Sequence, residues 1–183
     1  MKPTPLHTRR PAGFTLLEIL VVIAIIMVLA AMTMSGLSYV NEKAKISQTE
    51  VFISSVSQAL GQYKNDNGDF PPGDGTQGST EEVYDALYGD SLLNDSDTPG
   101  QIYLDTLDPN KKGNAKNVKP SGSSYVLVDA WKMNNSSERQ EIYYQYPGEM
   151  NPSSDFDIWS VGPDHQGGPN GSESERKDDI NNW

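Results

Sequence analysis

The sequence predicts an α+β fold in which one long N-terminal helix packs on a small C-terminal antiparallel sheet. An apolar block from Phe14 to Leu37 carries a single charge, Glu18. Helical spacing of apolar residues continues beyond that block, and no Pro occurs between Pro11 and Pro71. Three β-branched or aromatic runs separated by turn residues follow nearer the C-terminus. Composition narrows the possible functions before any motif is read. The 183 residues fit one domain with an appendage, or two small units at most. With 25 acidic and 14 basic side chains the net charge is -11. That balance argues against nucleic acid, whose binding rests on Lys and Arg neutralising phosphates. There is no Cys, and so no disulfide framework and no thiolate metal site.

The first element is a basic stretch, residues 1–13, with Lys2, Arg9 and Arg10 and no acid. Basic residues flanking a span stay in the cytoplasm, so the domain after Leu37 is expected outside it. The small residues Ala12 and Gly13 precede the apolar run instead of following it. Cleavage there would keep the hydrophobic segment in the mature protein. From Phe14 to Leu37, about 24 residues at roughly 1.5 Å each give a helix of about 36 Å, enough for a bilayer core of about 30 Å. The expected division is a leader at 1–13, a membrane-spanning helix half at 14–37 and a polar domain at 38–183. Glu18 stands out, because a carboxylate within a span costs about 2.5–3.5 kcal/mol and is usually paired or functional. Its place near the helix start also lets it snorkel to the headgroups.

Beyond Leu37, Ile46, Ile53 and Leu60 repeat at heptad spacing, with Phe52, Val56 and Tyr63 at neighbouring helical positions. Asn65 to Gly68 supply a stop. A helix from Phe14 to about Tyr63 would be roughly 75 Å long; the alternative is a separate anchor and domain helix hinged at Gly36. Asp69 to Gly73 read as a turn-rich exit. Ser79 with Glu82 reads as a capping box opening a short helix with Val83, Ala86 and Leu87 on one face. Asp90 to Ser123 reads as a long surface loop with at most one turn around Ile102 to Leu107. The runs Tyr125–Val128, Ile142–Tyr146 and Phe156–Val161 are the strands, their tyrosines serving core and rim packing.

The tail from Val161 to Asp179 offers Asp164, Asp178 and Asp179 among Gly162, Gly167, Gly168 and Gly171. Such oxygen ligands suit a hard cation, although the spacing is not that of an EF-hand. A solvated acidic tail is the plainer reading. Enzyme chemistry is not expected. Once His7 leaves with the leader, His165 is the sole histidine, and no Ser-His-Asp set can be assembled. Asp157 and Asp164 as a glycosidase pair lack any sign of a sugar cleft.

The stretch Gly13-Phe14-Thr15-Leu16-Leu17-Glu18 resembles the class III signal of type IV pilins and type II secretion pseudopilins. The resemblance implies a pilin-like fold, cleavage between Gly13 and Phe14 by a prepilin peptidase, and methylation of the Phe14 amine. It further implies that Glu18 neutralises that amine on a neighbouring subunit in a filament. The segments Asp129-Ala130-Trp131, Tyr143 to Gly148, Phe156 to Gly162 with Asp164, and Asp179 to Trp183 resemble the major pseudopilins of type II secretion. Ala130 and Lys132 depart from that pattern, a polar insert spans Met133 to Gln140, and Asp90 to Ser123 is longer than usual.

This narrower resemblance implies a calcium-loop tail, with the ion held by Asp164, the Asp178–Asp179 pair and the Val161 carbonyl. Which of the two adjacent acids ligates stays open. It also implies a homopolymer with minor pseudopilins, built on an inner-membrane assembly platform of a bacterium, with the domain in the periplasm. Growth of that filament would drive protein export, powered by a separate ATPase. Two alternatives remain at this point. One is a surface type IV pilin for adhesion, motility or DNA uptake, against which the lack of Cys tilts. The other is a single-pass anchored binding domain that never polymerises.

Overall fold

The computed structural model describes residues 13–89, 101–110, 117–133, 136–150 and 155–183, with the backbone alone at 33–36 and 89. The leader residues 1–12 lie outside the described residues. The chain divides into two units, Met1–Glu42 and Lys43–Trp183. A 52-residue helix, α1 (Leu16–Asn67), contributes to both.

In the first unit the helix opens at Thr15, whose Oγ1 accepts the Glu18 N–H at 3.2 Å. This is the hydroxyl half of a capping box, and it explains why helix begins at Leu16. The apolar side chains from Phe14 to Met32 are exposed on every side of the helix. Such a segment has no polar face to offer water and requires lipid or protein around it. Among the described residues α1 is the helix long and apolar enough to cross a membrane.

In the second unit the expected stripe of α1 is buried. Phe52, Ile53, Val56, Ala59 and Leu60 enter the core, with Ile46 and Tyr63 packed at its margin. The helix ends where Gly68 turns left-handed (φ 91°) and donates its N–H to the Lys64 carbonyl at 2.7 Å. A short helix α2 (Glu81–Tyr84) runs on into a π turn at Asp85–Gly89, burying Val83, Tyr84 and Leu87.

The described residues form seven strands in two antiparallel sheets, where the sequence predicts one sheet of three strands. The strands are β1 (Gly73–Asp74), β2 (Val118–Ser121), β3 (Ser124–Lys132), β4 (Arg139–Glu141), β5 (Tyr143–Tyr146), β6 (Asp157–Ser160) and β7 (Ile180–Asn181). One sheet runs β1-β5-β6-β7 and the other β2-β3-β4. The chain changes sheets at Ile142, whose N–H still bonds the Leu127 carbonyl at 2.9 Å.

The expected long loop also holds structure. A 3-10 turn at Asp105–Leu107 buries Leu107 completely, and β2 pairs along β3. Residues 90–100 and 111–116 of that segment lie outside the described residues. The expected capping box is absent for a physical reason. The Ser79 hydroxyl accepts the Tyr144 N–H of β5 at 3.0 Å, and the adjacent Thr80 hydroxyl accepts the Leu127 N–H of β3 at 3.0 Å. Two neighbouring side chains thus satisfy buried backbone donors in both sheets, and α2 starts without a side-chain cap.

Candidate functional site

At the N-terminal end, Gly13 and Phe14 precede the helix in exposed, non-helical backbone. That is the chain shape a peptidase can engage. Glu18 lies in the first turn of α1, where the helix dipole favours a carboxylate.

The C-terminal loop leaves β6 at Val161 and returns as β7. Its path depends on glycine. Gly162 is left-handed (φ 66°), and a Cβ there would overlap the Asp178 carbonyl oxygen. A Cβ at Gly167 would overlap Asp179 Oδ1. The Gly168 N–H donates to Asp179 Oδ2 at 2.8 Å. The exposed Asp164 accepts the Gln166 N–H on Oδ1 at 2.8 Å and donates its own N–H to Asp178 Oδ2 at 3.3 Å. The structure therefore brings all three acids into one loop.

Asp179 is the distinctive member, because its Oδ1 is buried without a hydrogen-bond partner among the described residues. Burial raises its pKa, the Gly168 N–H opposes this, and the charges of Asp178 and Asp164 add to the rise. Among the described residues no three Asp, Glu or His side chains are already gathered as a ligand cluster. The acids are neighbours instead. Calcium completes its shell with backbone carbonyls and water, so an orphaned carboxylate oxygen with two further acids beside it fits that ion.

Three residues behind the loop were assigned no role there by the sequence, although Asp129 opens one of the segments that carry the resemblance. The Ser160 hydroxyl donates to Asp129 Oδ2 at 2.6 Å and accepts the Gly162 N–H at 3.2 Å. Asp129 Oδ1 accepts the Trp131 N–H at 2.8 Å, beside the register shift between β3 and β4. Gln140 donates to the Gly162 carbonyl at 3.4 Å and bonds His165 through its own oxygen. Burial pushes the Asp129 carboxyl up to about 6, against the Ser160 and Trp131 bonds and the charges of Arg139 and Lys45. An acid closing the run Val126-Leu127-Val128 was the available signal; Gln140, in a polar insert, gave none. Asp157 is structural, accepting the Glu149 and Met150 N–H groups at 2.7 and 2.8 Å.

The tail is stitched to β6. Asn182 accepts from the Ile158 N–H at 3.0 Å and donates its own N–H to the Ile158 carbonyl at 3.2 Å. Trp183 meets Trp159 edge-on at 6.1 Å, and Trp159 stacks on Tyr143 at 5.5 Å.

Comparison with known proteins accords with both ends of the chain. Residues 8–34 match the prokaryotic N-terminal methylation motif. The chain is 33% identical to the type II secretion system core protein G of Escherichia coli strain K12, covering 96% of this chain and 93% of that one. It is 30% identical to the protein of the same name from Pseudomonas aeruginosa, over 97% of this chain and 99% of that one. A third relative of that name, from Pectobacterium carotovorum, is 32% identical over 95% of this chain and 85% of its own length. No solved structure gives a significant match. With the methylation motif at its start, the helix-and-sheet fold behind it and identity along nearly its whole length, the chain belongs to the type II secretion system core protein G family.

Proposed function

We infer that this chain works as a structural subunit of a type II secretion pseudopilus, and that it is not an enzyme. The observation that carries this is the helix start: Gly13-Phe14-Thr15-Leu16-Leu17-Glu18 heads a segment apolar on every side. In a membrane lipid surrounds that segment, and in a filament the same segments of other subunits do. The exchange is possible because protein neighbours replace lipid contacts at similar apolar cost. A repeated heterologous contact then builds without closing.

In this reading prepilin peptidase cuts after Gly13 and methylates Phe14. Glu18 pairs with the Phe14 amine of the next subunit, a buried ion pair that sets register more than it adds stability. The basic residues before the span support a periplasmic position for the second unit. Assembly proceeds with minor pseudopilins on an inner-membrane platform. Calcium is held by Asp164, Asp178, Asp179 and the Val161 carbonyl, and supplies charge that the three carboxylates lack among themselves. The buried Asp179 Oδ1, unpartnered among the described residues, supports that assignment.

Two measurements test the function. Mass spectrometry of the N-terminal peptide of the mature chain should show N-methyl-Phe14 as its first residue. Deleting the gene in its host should abolish secretion through the type II pathway, and the wild-type gene should restore it. Loss of twitching or transformation with secretion intact would favour a surface pilin instead.

A further inference from the structure

We infer that Asp129 is a positioning residue for the C-terminal metal loop, acting through Ser160 to hold the Val161–Gly162 peptide so that the Val161 carbonyl is presented to the ion. The inference rests on the calcium reading of that loop and adds the residues that aim one of its ligands.

The geometry runs from the second sheet to the loop. Asp129 lies in β3 and Ser160 in β6, so their 2.6 Å bond joins the two sheets. Both residues are almost fully buried, at 1% and 0% exposure. The same Ser160 oxygen accepts the Gly162 N–H at 3.2 Å. In a trans peptide the N–H and the preceding C=O lie on opposite edges of one plane. Holding the Gly162 N–H therefore fixes where the Val161 carbonyl points.

The restraint is matched on the other side of the residue. Gln140 of β4 donates to the Gly162 carbonyl at 3.4 Å and also bonds His165. Both backbone polar groups of Gly162 are thus taken by side chains, one of them tied to β3 and the other rooted in β4. A clamp between the sheets would need only the Asp129–Ser160 bond. The further bonds to Gly162 serve the loop, at a residue whose left-handed backbone needs holding. A buried carboxylate is costly to keep in a strand of apolar neighbours, and here its oxygens are engaged by Ser160 and the Trp131 N–H.

The test is calcium binding by isothermal titration on the full chain in detergent micelles, with thermal melting in chelator measured in parallel. Outer-shell partners of metal ligands are worth about 10- to 100-fold in affinity. Ser160→Ala should weaken calcium binding by about that factor. Asp129→Asn, which keeps an oxygen for the Ser160 hydroxyl, should fall between Ser160→Ala and wild type. If both variants bind calcium as wild type does and only melt lower in chelator, the pair is a sheet clamp and the inference is overturned. Should Ser160→Ala fail to fold, Asp129→Asn decides by the same criterion. A wild-type chain that takes up no calcium overturns the metal reading and this inference together, whereas equal binding by wild type and variants overturns this inference alone.

Discussion

Asp129 places a carboxylate among apolar strand neighbours, and the consequence is a pH dependence of definite sign. Its folded pKa, about 6, lies above the ordinary aspartate value, so the fold binds its proton more tightly than the unfolded chain does. Stability from this group is therefore greatest at low pH and falls as pH rises from about 4 to about 6, by about 3 kcal/mol. Thermal melting between pH 4 and 7 in chelator should show this decline, and Asp129→Asn should flatten it. An unchanged slope in the variant would assign the titration elsewhere. Gly162 makes a second prediction at this scale. Gly162→Ala forces a side chain into a left-handed position and against the Asp178 carbonyl, and it should destabilise the domain by about 1–3 kcal/mol in denaturant titration. Wild-type stability in that variant would mean the loop relaxes freely. The resemblance implies Asp178 and Asp179 as ligands without telling them apart, and the structure gives them different surroundings: Asp179 has a buried oxygen without a partner among the described residues, while Asp178 accepts from Asp164.

Among the elements, the second half of α1 was fully legible, because Phe52, Ile53, Val56 and Leu60 are spaced for one helical face and that face is buried. The strands β3, β5 and β6 were legible as β-branched and aromatic runs. Gly73–Asp74 and Arg139–Glu141 were not, since strands this short carry no alternation; the first pairs with residues more than 70 positions away, and the second pairs back on β3 across a polar insert with a register shift. The missed division into two sheets has the same origin, a switch at the single residue Ile142. Ser79 was misread for a related reason: its hydroxyl serves an N–H that lies 65 residues away, where the local pattern points to Glu82. Ser79→Ala and Thr80→Ala should each leave one buried strand N–H unpaired. A loss of about 1–3 kcal/mol is expected for either, measured by chemical denaturation. Losses near zero would show that water or a shifted backbone takes over these bonds.

At the scale of the whole molecule, stability and assembly reside in different stretches of sequence. The unit Lys43–Trp183 has its own core, while the apolar side chains from Phe14 to Met32 are exposed among the described residues. A segment this apolar requires lipid or protein around it, and in the proposed filament the Glu18 carboxylate, the one charge in that segment, sets which copies meet in which register. The most direct measurement is amine crosslinking in intact membranes of cells carrying the rest of the secretion system, comparing wild type with Glu18→Ala. The wild-type chain should give a long ladder of multimers, and Glu18→Ala, equally processed and equally membrane-bound, should collapse it to monomers and dimers. A wild-type chain that never exceeds a dimer would contradict the account and leave a membrane-anchored domain that does not polymerise.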